Sequence, residues 1–281
     1  MKRLIIVALL IIVAAIAGIV RSHGGEFVRV NELPGVTEDG AEAREEIRKS
    51  FELAPGARVR VAGINGVVKI ETIESNTAEL YVERTAKSQE SLSRRKIQID
   101  SSAMNLEIRG KSEEVGFFAR LFGSNPRERV ILKLPRQVSL NTGGVNGDVI
   151  VGQIDGPVEI HGINGKVDVG EASGAAEFHG VNGNITVAVK ELQQTGVRLN
   201  GINGNIEVRL APGMNAELEA RGMNGRVVSD LPDFILEKGK HGNYSAHVGT
   251  GGRPISAHGI NGNIRLSRSS APEQAKNVSG N

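Results

Sequence analysis

His161 and His179 are the first residues of this 281-residue chain whose type and spacing suggest chemistry. Each directly precedes a Gly-φ-Asn-Gly motif, where φ is Ile, Val or Met. If the motifs mark equivalent places in stacked coils, the two imidazoles lie about 5 Å apart. Two such rings can share a divalent ion. Before the other motifs stand Ala62, Gly143, Asn200, Arg221 and His258. That column carries no carboxylate, so it reads as an exposed polar corner position and no metal is expected. A second constellation is Asp148, Lys166, Asp168 and Glu207. A polysaccharide-cleaving β-helix needs carboxylates or basic groups clustered on one face. These four follow the corners at alternating positions, which solvated strand faces explain. There is no Trp, and only Tyr81 and Tyr244 offer phenol rings for stacking on a sugar. The chain has no phosphate-binding loop, no Gly-x-Ser-x-Gly and no His-Glu-x-x-His. Calcium-binding nonapeptides have a different period. No catalytic residue, metal ligand or cofactor is assigned. The Arg94-Arg95-Lys96 run reads as a solvated strand start.

The elements that carry these residues are set by composition and period. Hydrophobic residues make up 39%, aromatics only 3%, and 36 residues are Gly. The core must therefore be built from Val, Ile, Leu and Ala. With 34 basic and 32 acidic residues there is no electrostatic footprint for nucleic acid. Zero Cys excludes disulfides, thiolate metal sites and a Cys nucleophile. From Phe51 onward, apolar and charged residues alternate, as in Arg58-Val-Arg-Val-Ala and Lys96-Ile-Gln-Ile-Asp. That period of two predicts strands with one buried face. The run 130–135, closed by Pro135, is a further strand. Residues 113–125 break the alternation and carry Phe117, Phe118, Leu121 and Phe122. They read as a loop or short helix that packs back on the strands, or as an exposed apolar contact.

The motif occurs seven times, starting at Gly63, Gly144, Gly162, Gly180, Gly201, Gly222 and Gly259. The central starts are 18, 18, 21 and 21 residues apart. A fixed period near 20 marks a solenoid. The expected fold is all-β: a parallel β-helix or β-solenoid with coils of about 18–21 residues. Glycine permits a left-handed corner and close approach of neighbouring coils. The φ residue plugs the corner. Stacked Asn amides can bond the coils above and below. Asn146, Asn164, Asn182, Asn203 and Asn224 are expected to form a ladder, with Asn65 and Asn261 in equivalent corners.

The repeated Gly-Ile-Asn-Gly, the Pro-ended strand 130–135 and an export segment resemble the bacterial GIN-type adhesin-head and DUF4097 families of β-strand repeat proteins. The resemblance covers roughly residues 51–266. It implies an exported, solenoid-like envelope protein without enzymatic chemistry, and it maps no catalytic residue onto this chain. The insertion around Phe117 is not part of that pattern.

The organisation expected is therefore a signal peptide or membrane anchor over 1–21, a linker over 22–50, the solenoid over 51–267 and a disordered tail over 268–281. Lys2 and Arg3 precede the uncharged run 4–20, and Ala15-Ile16-Ala17 has the form of a cleavage site. If uncleaved, residues 4–20 would make a transmembrane helix of about 25 Å. Both readings export the rest to the cell envelope, whether periplasm, cell surface or membrane. Residues 42–49 read as a short polar helix or a solvated charge run. Residues 42–51 and 231–247 are candidate caps for the two ends. The leading function is a non-enzymatic, adhesin-like envelope module whose partner is an unknown envelope protein or glycan. The alternatives are a membrane-anchored extracytoplasmic scaffold or envelope-stress accessory, and a polysaccharide-active enzyme.

Overall fold

Alternating strands with a corner every 20 residues can bury one face only by stacking on their equivalents, and the chain does so. A computed structural model describes residues 43–112, 125–239 and 241–269. It is a β-sheet fold, parallel and antiparallel, with repeat-like long-range strand contacts. The strands are β1 (Ala43–Glu52), β2 (Arg58–Ala62), β3 (Gly66–Ile73), β4 (Thr77–Ala86), β5 (Arg95–Ser102), β6 (Asn105–Ser112) and β7 (Arg127–Pro135). Then come β8 (Ser139–Val145), β9 (Val149–Ile154), β10 (Val158–Ile163), β11 (Val167–Ala172), β12 (Ala176–Val181), β13 (Ile185–Val189), β14 (Val197–Asn203) and β15 (Ile206–Leu210). The last six are β16 (Ala216–Arg221), β17 (Val227–Ser229), β18 (Phe234–Lys238), β19 (Tyr244–Val248), β20 (Arg253–Asn261) and β21 (Ile264–Arg268). One short helix, α1 (Gln89–Ser93), lies between β4 and β5.

A ten-stranded sheet runs β1-β4-β7-β3-β9-β11-β13-β15-β21-β17. An eleven-stranded sheet runs β18-β19-β16-β20-β14-β12-β10-β8-β2-β6-β5. From β7 to β17 and from β6 to β16, every pairing is parallel. Antiparallel pairing occurs at the ends: β1 and β4 at one end of the first sheet, and β5 and β18-β19 at opposite ends of the second. From β6 to β17 strands of the two sheets alternate along the chain, so each repeat there supplies one strand to each sheet.

The order of layers is not the order of the chain. The β20-β21 pair sits between β14-β15 and the earlier β16-β17. At the other end β6-β7 lies outside the earlier β2-β3. Both long motif intervals, 81 and 37 residues, are therefore excursions through an antiparallel cap: the first adds the outer layer β6-β7, and the second returns to insert β20-β21 inside β16-β17.

Inward positions form columns across layers. In the second sheet one column is Val61, Thr142, Ile160, Phe178 and Leu199, all buried. The inner faces of both sheets join one hydrophobic cluster. The motif's φ residue is buried in every copy, from Ile64 to Ile260.

Two expectations are corrected here. Residues 43–52 are strand β1, not a helix: Ala43 to Glu52 pair antiparallel with Ala86 to Thr77, and ladder hydrogen bonds outweigh the local helix preference of a charged run. The transmembrane helix is also corrected. Among the described residues no helix is long and apolar enough to cross a membrane. α1 has 5 residues, against the roughly 20 that a span needs. Residues 4–20, the linker before residue 43, the Phe117–Phe122 insertion and the tail from residue 270 lie outside the described residues.

Thr142 is fully buried between Val61 and Ile160, and its hydroxyl has no hydrogen-bond partner among the described residues. An unpaired buried hydroxyl costs about 1–3 kcal/mol. Thr142→Val keeps the shape and removes that cost. Urea denaturation is expected to show a stability gain of about 1 kcal/mol.

Candidate functional site

The corners are the most regular feature of the surface, and each residue of the motif has its own reason. Gly162, like the first glycine of every copy, has positive φ, here 61°, which a side chain rarely adopts. Gly165 faces another constraint: a Cβ there would lie 2.3 Å from the carbonyl oxygen of Gly147 in the next layer. The same clash, at 2.0–2.3 Å, would arise at Gly66, Gly147, Gly183, Gly204, Gly225 and Gly262.

Between these glycines the Asn side chains form one column of hydrogen bonds. The Nδ2 of Asn146 donates to Asn65 Oδ1 at 2.9 Å, Asn164 to Asn146 at 3.0 Å and Asn182 to Asn164 at 3.1 Å. Asn203 donates to Asn182 at 2.9 Å, Asn261 to Asn203 at 2.8 Å and Asn224 to Asn261 at 3.0 Å. Asn224 therefore bonds Asn261 rather than Asn203, because β20-β21 is inserted between their layers. The polarity is set at one end. Asn65 Nδ2 donates to the Pro126 carbonyl at 2.8 Å. A carbonyl only accepts, so Asn65 must turn its amide nitrogen to Pro126 and its oxygen to Asn146. Each later amide follows the same orientation. A shorter second column lies just past the corner: Asp148 Oδ1 accepts the Lys166 N–H at 2.7 Å, and Asn184, Asn205 and Asn263 accept the N–H of Asn205, Asn263 and Arg226.

The Asn column ends on a buried charge cluster. Glu128 Oε2 accepts the Asn65 N–H at 2.9 Å, and Oε1 accepts Arg95 Nε at 2.8 Å. The Glu128 side chain is 0% exposed and that of Arg84 is 4% exposed. Arg84 donates to the Leu92 carbonyl at 2.9 Å and also bonds Glu45 and the Arg95 carbonyl. Arg95 also reaches the Gly63 carbonyl and Ser112. Arg95 is thus not a solvated strand start; its guanidinium closes the corner from inside. Its partners carried a readable signal. Glu128 is in phase with buried Val130, Leu132 and Leu134, and Arg84 with Ala78, Leu80 and Val82. A charge at an inward position of an alternating strand needs a partner, and Arg84 and Glu128 are cross-strand partners in register.

The residues considered for catalysis do not converge. Asp148 is used by the Lys166 N–H, and Lys166 Nζ pairs with Asp168 at 3.2 Å. Asp168 and Glu207 flank Thr186 in register, about 9.6 Å apart at two strand spacings. Glu207 accepts Arg209 and Ser267 Oγ, both at 3.0 Å. The Arg209 hydrogen bond holds the Glu207 carboxyl below the usual carboxylate range, against a smaller opposing effect of burial. A general acid needs the reverse shift.

His161 and His179 are in register, but they face different neighbours. The His161 ring lies over Gly143, whose missing side chain makes room for it. His179 is 3.2 Å from the Asn200 amide and 3.4 Å from Glu177. Among the described residues no three His, Asp or Glu side chains are grouped to hold a metal. On the same outer face, Asn141, Glu159 and Glu177 line a shallow depression of about 220 Å³.

No family model and no curated protein matches the chain. Solved structures do. A candidate cell adhesion protein from Clostridium sporogenes is 16% identical, with 81% of this chain and 100% of that chain covered and a TM-score of 0.37. A candidate adhesin from Bacteroides fragilis is 13% identical, with 79% and 97% covered and a TM-score of 0.32. A candidate lipid-binding protein from Parabacteroides distasonis is 12% identical, with 82% and 98% covered and a TM-score of 0.28. Likenesses this loose carry no argument about what this chain does.

Two substitutions test the site's construction. In Asn182→Asp the carboxylate would face Asn164 Oδ1, oxygen against oxygen, and only its protonated form can donate there. The folded-state pKa of that Asp is therefore raised. Its stabilising contribution is present below the unfolded value of about 3.9 and lost as pH rises through the folded value. The variant is expected to approach the parent's stability near pH 3 and to fall about 1–2 kcal/mol below it at pH 7, by urea denaturation at both pH values. Glu128→Ala would leave Arg95 without its carboxylate and the Asn65 N–H without its acceptor, with only Glu45 left beside buried Arg84. The expected loss is about 3–5 kcal/mol in the same measurement.

Proposed function

We propose that this protein is an exported, non-enzymatic interaction module of the cell envelope, built as a two-sheet β-solenoid and adhesin-like in its mode of action. The observation that carries the reading is the parallel register of the layers, which runs from β6 to β16 across the eleven-stranded sheet. It repeats each outward side-chain position every 4.8 Å or so, over a broad, nearly featureless face. Such a surface suits multiple weak contacts with an extended partner. The face of the eleven-stranded sheet is the binding face in this reading. It presents Asn141, Glu159, Glu177 and Arg198 in one row and His161, His179, Asn200 and His258 in the next. Carboxylates, amides and imidazoles in rows match the hydroxyl and amide groups of an envelope glycan or the exposed backbone of an envelope protein.

Export is supported by Lys2 and Arg3 ahead of the uncharged run 4–20. The ion-paired state of Asp168 and Glu207 supports the non-enzymatic reading.

Protease shaving of intact native cells, with mass spectrometry of the released peptides, tests the placement. Release of Gly-φ-Asn-Gly peptides from whole cells is the expected result. Recovery of those peptides only from the cytoplasmic fraction after lysis would sink the proposal. The binding face is tested by adding purified protein to isolated envelopes. Reversing Glu159 and Glu177 to Lys is expected to reduce the retained fraction several-fold, whereas the same change at Glu71, on the other sheet, leaves it unaltered.

A further inference from the structure

All seven corner asparagines are followed by glycine. That pair is intrinsically reactive, because a glycine nitrogen has no neighbouring side chain to block its attack on the Asn side-chain carbonyl. The fold restrains the reaction with two sets of hydrogen bonds, and it does so unevenly.

The first set holds the electrophile. Asn65, Asn146, Asn164, Asn182, Asn203 and Asn261 each donate through Nδ2 and accept through Oδ1, so both ends of the amide are fixed. Asn224 donates to Asn261, but among the described residues no hydrogen bond reaches its Oδ1. The second set holds the nucleophile. The Gly183 N–H donates to the Asn203 carbonyl, Gly204 to Asn261 and Gly262 to Asn224, each at 3.0 Å. Gly147, Gly165 and Gly225, which lie outside the strands, have no such backbone bond among the described residues. Asn224-Gly225 is the pair that lacks both restraints. It also sits in the last corner of the column, next to the three-residue edge strand β17. The segment 242–244 covers that corner: the Met223 N–H donates to the Gly242 carbonyl at 2.9 Å and Tyr244 Oη to the Gly225 carbonyl at 2.8 Å, and neither bond holds Asn224 Oδ1 or the Gly225 nitrogen.

We propose that Asn224 is a site of spontaneous covalent modification, cyclising onto Gly225 and hydrolysing ahead of the other six corner asparagines. The Gly225 backbone nitrogen attacks Asn224 Cγ. A C–N bond forms, the Cγ–Nδ2 bond breaks, and the nitrogen's proton leaves with Nδ2 as ammonia. The five-membered succinimide is then opened by one water at either carbonyl, giving aspartate or isoaspartate. No electron changes hands, and water is the co-reactant. The product carries a new negative charge and loses the donor that Asn261 Oδ1 had accepted. The end layer thereby loses its amide bond to the β20-β21 layer, while its strand ladders to that layer remain. Asn146 and Asn164, with a held electrophile but a free nucleophile, follow. Asn182, Asn203 and Asn261 convert last.

The test is to incubate the folded protein at 37 °C and mildly alkaline pH, with a parallel sample in concentrated urea. Conversion at each motif is followed by peptide mapping, and isoaspartate by enzymatic methylation. In the folded sample Asn224 is expected to convert about fivefold faster than the next sites, Asn146 and Asn164, because it lacks the one restraining hydrogen bond, at Oδ1, that they keep. In urea the seven sites are expected to convert at similar rates. Equal rates in the folded sample, or a first conversion at any of the other six, would overturn the proposal. So would a preference for Asn224 that persists in urea, because local sequence rather than the fold would then set it.

Discussion

Adjacent strands of a sheet sit about 4.8 Å apart, and at the corners of this protein that spacing leaves no room for a side chain on the second glycine of the motif. A Cβ at Gly165 or Gly183 would press to 2.3 or 2.1 Å on a carbonyl oxygen of the neighbouring layer. The first glycine turns the chain through a left-handed conformation, the φ residue fills the space behind it, and the Asn side chain projects outward at the layer spacing. The parallel register of both sheets depends on this corner. If one corner shifted, the strands on either side would lose their partners, and inward positions such as Val158 and Val167 would leave their columns.

A column of amides has a direction, and here one atom sets it. The Pro126 carbonyl can only accept, so every amide from Asn65 to Asn224 presents nitrogen toward that end and oxygen toward the other. The two ends differ as a result. One is closed by buried Glu128 and Arg84, 3.8 Å apart, with Arg95 hydrogen-bonded to Glu128. The other stops at Asn224, beside a three-residue edge strand. Open strand edges invite pairing with other chains. The charged residues of β1 guard one edge, whereas β18 exposes Ile235 and Leu236 at another. A polar column, a sealed end and an exposed end arise from the same stacked architecture.

The functional reading follows from that regularity rather than from a pocket. Asp168 and Glu207 sit on the ten-stranded sheet with their charges satisfied, and the two histidines of the corner column face different neighbours. What the surface offers is repetition. A polar group recurs at each layer, here an amide, there a carboxylate or an imidazole, and in the proposed reading such rows favour avidity over single-site affinity.

The sequence by itself determined the alternating strands from Phe51 onward, the corners and the parity of the core. Alternation of period two names the inward residues, and the recurring glycines name the turns. It also held the sign of the buried cluster: Arg84 and Glu128 occupy inward positions of otherwise apolar strands. The tertiary structure alone decided which layers touch. Each layer has the same apolar pattern and the same corner, so many pairings would bury similar surface, and local sequence cannot rank them. The choice was made by the long excursions and their antiparallel caps, which place β20-β21 between β15 and β17 in one sheet and between β14 and β16 in the other. Chain order therefore puts Asn224 beside Asn203, whereas the fold puts Asn261 between them. The strand expected as a helix, β1, has the same explanation: a charged segment has no strong preference of its own, and the open edge of β4 supplied the hydrogen bonds that settled its conformation.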